Sequence, residues 1–118
     1  MLHGTPGPDV ICGRGGDDVI AGLGSYDILL GGRGDDVVKG GRGVDVLLGG
    51  RGHDRLAGEG RRDLVGGGSG PDHVVGGNGP DLLRGGDGHD VVNGGSGRDH
   101  CADPQSSTRF SGCEVERR

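Results

Sequence analysis

Apolar residues return along this chain at an interval of nine. Ile11, Ile20, Leu29, Val38, Leu47, Leu56, Val65, Val74, Leu83, Val92 and Cys101 keep that spacing without a slip. The period is too long for one face of a helix or one face of a strand, so each apolar position marks one short element of a repeated unit. Polar positions share the period. Asp9, Asp18, Asp27, Asp36, Asp45, Asp54, Asp63, Asp72, Asp81, Asp90 and Asp99 each stand two residues ahead of an apolar one. With Asp numbered as position six, position one is glycine in all eleven units, from Gly4 to Gly94. Position two is glycine in seven units and position four in nine.

Each position has a physical reading. Positions seven to nine are rich in Val, Ile and Leu and predict a three-residue strand whose middle residue points inward. The glycines ahead of it permit positive φ and close backbone approach, so they form the turn. Two units, or 18 residues, close one coil of a flattened helix. Strands of odd units then stack in one parallel sheet and strands of even units in another, with position eight between them. The expected fold class is all-β: a parallel β-roll, that is a right-handed β-solenoid with two nonapeptide units per coil. Eleven units give about 5.5 coils, roughly 26 Å long at the ~4.8 Å spacing of strands. Residues 1–3 are an N-terminal extension, 4–102 the roll, and 103–118 a tail that caps its open end.

Composition changes the picture in one respect. Of 118 residues 32 are glycine, 29% are apolar and 2% are aromatic. Hydrophobic burial alone is a weak source of order for such a chain, and without another it stays disordered. The aspartates indicate what that source is. Stacking sets Asp18, Asp36, Asp54, Asp72 and Asp90 in one column, and Asp9, Asp27, Asp45, Asp63, Asp81 and Asp99 in the other. Carboxylates at that spacing repel unless neutralised. A hard cation between successive turns would neutralise them, taking carboxylate oxygens and the carbonyls that glycine turns expose. Six to eight oxygens in a flexible cage describe calcium better than magnesium. The plainer reading is an Asp ladder that serves turn formation alone, yet Asn or Ser never replaces Asp in the eleven units.

The unit Gly76-Gly77-Asn78-Gly79-Pro80-Asp81-Leu82-Leu83-Arg84 resembles the calcium-binding nonapeptide of the repeats-in-toxin (RTX) family, and the resemblance spans residues 4–102. It implies a calcium β-roll in which the position-six aspartates and turn carbonyls hold the ions. It also implies an extracellular location and a chain that folds on meeting external calcium. Unit three (Gly22-Leu23-Gly24-Ser25-Tyr26-Asp27) and unit seven (Gly58-Glu59-Gly60-Arg61-Arg62-Asp63) lack glycine at positions two and four. Thr5 and Arg14 stand at position two of units one and two. The even edge is therefore expected to hold the better sites, with turn carbonyls of Gly32, Gly34, Gly50, Gly52, Gly68, Gly70, Gly86 and Gly88. The gaps between stacked aspartates set a ceiling of nine ions. Full occupancy would carry the chain from −5 to +13, so partial or weak occupancy is expected.

Other chemistry finds less support. An acidic balance, 18 acids against 13 bases, disfavours nucleic acid as a partner. No apolar run approaches the ~18 residues of a membrane span, and Met1–Pro6 has no signal-peptide character. The chain starts inside its first repeat with no export signal, which suggests a fragment or a misplaced start. His3, His53, His73, His89 and His100 occupy different faces or coils, and no His-Glu-x-x-His motif occurs. Arg33-Gly34-Asp35 spells a cell-attachment tripeptide, but the repeat produces it wherever Arg and Asp fill positions three and five. No enzymatic role is expected. A Cys101–Cys113 disulfide would clip the tail over the end of the roll, leaving Cys12 free; two separate thiols are the alternative. The outward positions of the odd sheet, including Val10, Ile28, Leu30, Val46 and Leu48, read either as plain β-propensity or as a packing face for a protein partner or a second copy. The functional expectation is a secreted calcium-binding module, a structural spacer or adhesive element. The alternative is a non-catalytic accessory region of a larger secreted protease or lipase.

Overall fold

The computed structural model describes residues 2–102, 109–112 and 114–116. Its strands are β1 (Leu2–His3), β2 (Asp9–Cys12), β3 (Val19–Ala21), β4 (Asp27–Arg33), β5 (Val37–Lys39), β6 (Val46–Arg51) and β7 (Arg55–Glu59). They continue as β8 (Leu64–Gly66), β9 (His73–Gly77), β10 (Leu82–Arg84), β11 (Val91–Asn93), β12 (His100–Ala102), β13 (Arg109–Ser111) and β14 (Glu114–Glu116). Odd-numbered strands stack in chain order into one seven-stranded sheet and even-numbered strands into the other. Strands β2, β4, β6, β8, β10 and β12 belong to the odd repeat units, so their sheet is the odd sheet named above; β3, β5, β7, β9 and β11 form the even sheet.

Through the repeats the register advances by one coil of 18 residues without interruption. Ile28 pairs with Val46, Val46 with Leu64, and Leu64 with Leu82, all in parallel. The molecule is a parallel β-solenoid of about six coils, with no helix among the described residues. Its slab measures 37 × 29 × 16 Å. The 16 Å dimension is about what two backbone layers ~10 Å apart require once twist is added.

The core is one residue thick. Ile20, Leu29, Val38, Leu47, Leu56, Val65, Val74, Leu83, Val92 and Cys101, the position-eight residues of units two to eleven, are at most 1% exposed. Each sheet covers its inner face with the other, which parallel sheets need. The fully buried layer holds only aliphatic side chains and one cysteine.

The sheets run past the eleven units at both ends. Leu2 pairs with Ile20, and Phe110 pairs with Val92. Leu2 stands nine residues before Ile11 and Phe110 nine after Cys101, so both hold the inward position without the glycines or aspartate that mark a full unit. Leu2, Ile11 and Phe110 are partly buried against the core and shield its ends. Solenoids need such terminal cover. Cys101 is buried and disulfide-bonded, and Cys12 is a free exposed thiol. Cys113, the expected partner of Cys101, lies outside the described residues.

Candidate metal centre

The turns decide where the aspartates go. At positions two and four the backbone enters the left-handed region in every unit from the second to the eleventh. Gly50 and Gly52 show why glycine suits these positions. Their φ angles are +89° and +111°, and a Cβ on either would collide with the carbonyl oxygen of Gly32 or Gly34 one coil earlier. Position one has a different reason. A Cβ built on Gly31 would lie 2.7 Å from Asp36 Oδ2 and 2.6 Å from the carbonyl of Gly49. Glycine there lets the carboxylate fold back over its own turn.

The carboxylates consequently point inward. Asp27, Asp36, Asp45, Asp54, Asp63, Asp72, Asp81, Asp90 and Asp99 are no more than 3% exposed. In each the Oδ1 oxygen has a partner one coil below. The main-chain N–H of Asp36 donates to Asp54 Oδ1 at 2.9 Å, and that of Asp54 to Asp72 Oδ1 at 2.8 Å. The odd column repeats the geometry, from Asp27 onto Asp45 at 2.9 Å to Asp63 onto Asp81 at 2.8 Å.

The Oδ2 oxygen is left over. From Asp18 to Asp99, ten successive aspartates bury this atom with no hydrogen-bond partner. A buried carboxylate oxygen without a partner is costly, and ten in one small protein is far beyond the few such groups that native proteins tolerate. The protonation equilibria show the same burden. Burial, reinforced by neighbouring carboxylates of the column, outweighs the backbone N–H bond and pushes Asp63 and Asp72 up to about 8. The same causes raise Asp81 to about 7, and Asp45 and Asp54 to about 6. Asp27 and Asp36 are raised as well, with burial again the main cause.

Asp9 behaves otherwise. The Thr5 N–H donates to its Oδ2 at 2.6 Å, and the Thr5 hydroxyl reaches both of its oxygens. The first turn therefore satisfies its carboxylate locally, and neither Thr5 nor Gly7 enters the left-handed region in that unit.

Hard oxygen donors dominate these edges. Among the described residues no three His, Cys, Asp or Glu side chains converge on one point, so main-chain oxygens would complete any cation site. The turn carbonyls at positions two and four stack from coil to coil, each occupying the space a side chain would need in the next coil, and those at position two also accept an N–H from that coil, as Gly50 does from Ser69 at 3.0 Å. Carboxylate plus carbonyl oxygen in a turn of glycines fits a calcium ion.

The model of the RTX calcium-binding nonapeptide repeat matches residues 1–29, 25–56 and 66–101, most of the chain. The chain belongs to the RTX repeat family. Among curated proteins none matches it. RTX repeats bind calcium in a β-roll, and the buried aspartate columns are consistent with that arrangement. The matches leave out residues 57–65, nearly the whole of unit seven. In that RTX unit Glu59 and Arg61 take φ of 74° and 66°, where the repeat has glycine. Leu23 and Ser25 do the same in unit three, and Arg14 in unit two.

The columns and the glycine turns lie where the nine-residue period places them. The inward direction of the aspartates is new, as is the bond from each backbone N–H to the next coil's carboxylate. So is a second, outward ladder on the even edge. The Asp35 N–H donates to Asp17 Oδ1 at 2.8 Å, and the His53 N–H to Asp35 Oδ1 at 2.9 Å. The recurrence of Asp at position five in units two and four is its one signal in the sequence.

Proposed function

We propose that this chain binds several calcium ions along its two turn edges and folds as it does so, serving as an extracellular structural module. The observation that carries the reading is the row of ten buried Oδ2 atoms without partners. Calcium, when bound, supplies the positive charge that lets these carboxylates stay ionised inside the roll. On the even edge the holding groups are Asp18, Asp36, Asp54, Asp72 and Asp90, with carbonyls of Gly32, Gly34, Gly50, Gly52, Gly68, Gly70, Gly86 and Gly88. On the odd edge Asp45, Asp81 and Asp99 offer the same oxygens, while Asp27 and Asp63 sit on turns of non-glycine residues. Asp9 is the weakest contributor, since Thr5 already occupies its oxygens.

The chain's own residues determine the coupling to folding. Until a coil closes, the carboxylates stay hydrated, the glycine turns keep their freedom, and a core one residue thick has little to bury. Closing a coil strips water from Asp54 and Asp72 and buries one oxygen of each against the first glycine of its own turn. Structural metal sites behave this way when the unfolded chain offers no preformed cage. We assign the chain no chemistry beyond binding and folding. It acts as a secreted spacer or adhesive element, or as the accessory roll of a larger secreted protease or lipase. Cys101 and Cys113 would clip the tail over the last coil.

Circular dichroism of the chain with chelator, then with calcium, then with chelator again tests the coupling. The expected result is a disordered spectrum that becomes β-rich with calcium and reverts. A chain already β-rich in chelator sinks the proposal, and titration calorimetry that detects no calcium uptake sinks it independently.

A further inference from the structure

Exposed apolar side chains are distributed unevenly over the roll. Of eleven large ones that face solvent among the described residues, seven belong to one side. Val10, Ile28, Leu48, Leu64 and Leu82 lie on the outer face of the sheet formed by β2, β4, β6, β8 and β10. Tyr26 and Val44, 66% and 39% exposed, extend it at the turn position just ahead of β4 and β6. Over the first four coils neither position seven nor position nine of this sheet carries a charge. The opposite sheet carries Lys39, Arg55 and His73 on its outer face, among its valines.

We infer that this apolar face is the interface between two copies of the chain. A parallel sheet ordinarily has both faces covered, and among the described residues nothing covers this one. Its size is sufficient. Four of the six coils on the broad side of a 37 × 29 × 16 Å slab offer about 700 Å² per copy, within the roughly 600–1,000 Å² per partner of a standard stable interface. The ladder across it is continuous, with no bulge from β2 to β8.

A second copy fits better than a polar or charged partner because the face complements itself. A two-fold axis parallel to the roll sets the column of Val10, Ile28, Val46 and Leu64 on the partner's column of Cys12, Leu30, Leu48 and Gly66. The bulk of Leu64 then meets the notch left by Gly66. The same operation exchanges the two ends of each strand. Tyr26 precedes β4 and Arg33 ends it, so each copy's Arg33 comes over the other's Tyr26, a cation–π pairing. An antiparallel copy would instead lay Arg84 of the fifth coil on the apolar first coils. Closed two-fold symmetry ends the association at two.

This inference rests on the calcium-dependent roll proposed above, so folding and mass are read separately. The chain is sedimented in saturating calcium across a range of concentrations, with circular dichroism on the same samples. A dimer is expected. The Ile28→Lys/Leu48→Lys variant should raise its dissociation constant at least ~30-fold, the scale of a lost hot spot. The Val19→Lys/Val91→Lys variant, on the other sheet, should leave it unchanged. Alkylation of Cys12 in the unaltered chain gives a reading independent of any variant. Its rate should fall about tenfold or more as protein concentration rises through the dimer range. A folded chain that stays monomeric overturns the inference, as does a concentration-independent Cys12 rate. So does an odd-sheet variant that is folded and dimerises like the parent. A chain that shows no β signal in calcium fails at the folding step and refutes both readings, which the dichroism alone reveals.

Discussion

The two turn edges of the roll carry the same column of aspartates on different turns. Along the even edge Asp36, Asp54, Asp72 and Asp90 rest on turns whose left-handed positions are all glycine. Along the odd edge Asp45, Asp81 and Asp99 have the same glycines, but units three and seven hold Leu23, Ser25, Glu59 and Arg61 there. Yet the carboxylates do not register this. Their N–H to Oδ1 bonds are 2.8 to 2.9 Å on both edges. Their free Oδ2 atoms are equally buried, and Asp63 of the odd edge is pushed up to about 8 just as Asp72 of the even edge is. The comparison separates two quantities that a repeat motif merges. Carboxylate placement belongs to the stacking of coils and is common to both edges. The energy of holding a turn closed belongs to the residues at positions two and four, and there the edges part. A non-glycine residue in the left-handed region costs about 1–2 kcal/mol, incurred four times on the odd edge and once, at Arg14, on the even edge.

The largest expected effect is calcium removal, which should abolish the β signal of both edges. Returning calcium in steps should then reveal two classes of site, tighter and weaker, in titration calorimetry. One uniform class would break the distinction between edges. Next come the carboxylates themselves. Asp54→Ala should raise the calcium midpoint of folding by about 10–100-fold, the range of a disrupted metal site, whereas Asp27→Ala and Asp63→Ala should cost only a few-fold. Equal midpoints would show that the turn residues do not matter.

The turns can be tested directly by exchange. Gly68→Ala puts a side chain at φ +88° against the carbonyl of Gly50, so a loss of at least ~1–2 kcal/mol is expected. Glu59→Gly relieves the same conformation on the odd edge and should gain about 1 kcal/mol. Urea unfolding in calcium measures both, and a destabilising Glu59→Gly would assign Glu59 a stabilising contact instead.

The smallest effect concerns pH, and here the edges should agree. A carboxyl raised in the folded roll favours folding while it is protonated. That contribution is complete below the ordinary value of 3.8 and is lost as pH rises through about 6 for Asp54 and about 8 for Asp63 and Asp72. In chelator, acidification from pH 8 to 5 should therefore restore part of the β content lost with calcium. In calcium the dependence reverses, since binding requires the ionised form. Asp63→Asn and Asp72→Asn should shift the chelator profile by similar amounts. A large difference between them would place the asymmetry in the columns rather than the turns.

Much of the roll is legible in its residues alone. The recurrence of Leu47 and its equivalents every nine residues predicts a one-residue core, because only a repeated strand can bury one side chain per nine. Gly50 and Gly52 announce turns for the reason glycine always does. Leu2 and Phe110 keep the same beat but are inconspicuous, since they lack the glycines that mark a unit. The direction of Asp54 is hidden for a different reason. Whether position six faces in or out depends on how the turn ahead of it curls over the glycine at position one, a close approach between atoms of one coil and the next. Thr5 capping Asp9 is likewise a local competition that no period reports.

The sequence by itself determined the period, the pairing of every unit with the one two places on, and a demand for charge compensation, because each follows from residue types at fixed spacing. The tertiary structure decided that Asp18 to Asp99 bury an oxygen with no partner, and that the apolar outer positions gather on one sheet as a continuous face. Both arise only when coils stack. Burial and adjacency between residues 18 apart are properties of the assembled roll, and no single unit contains them.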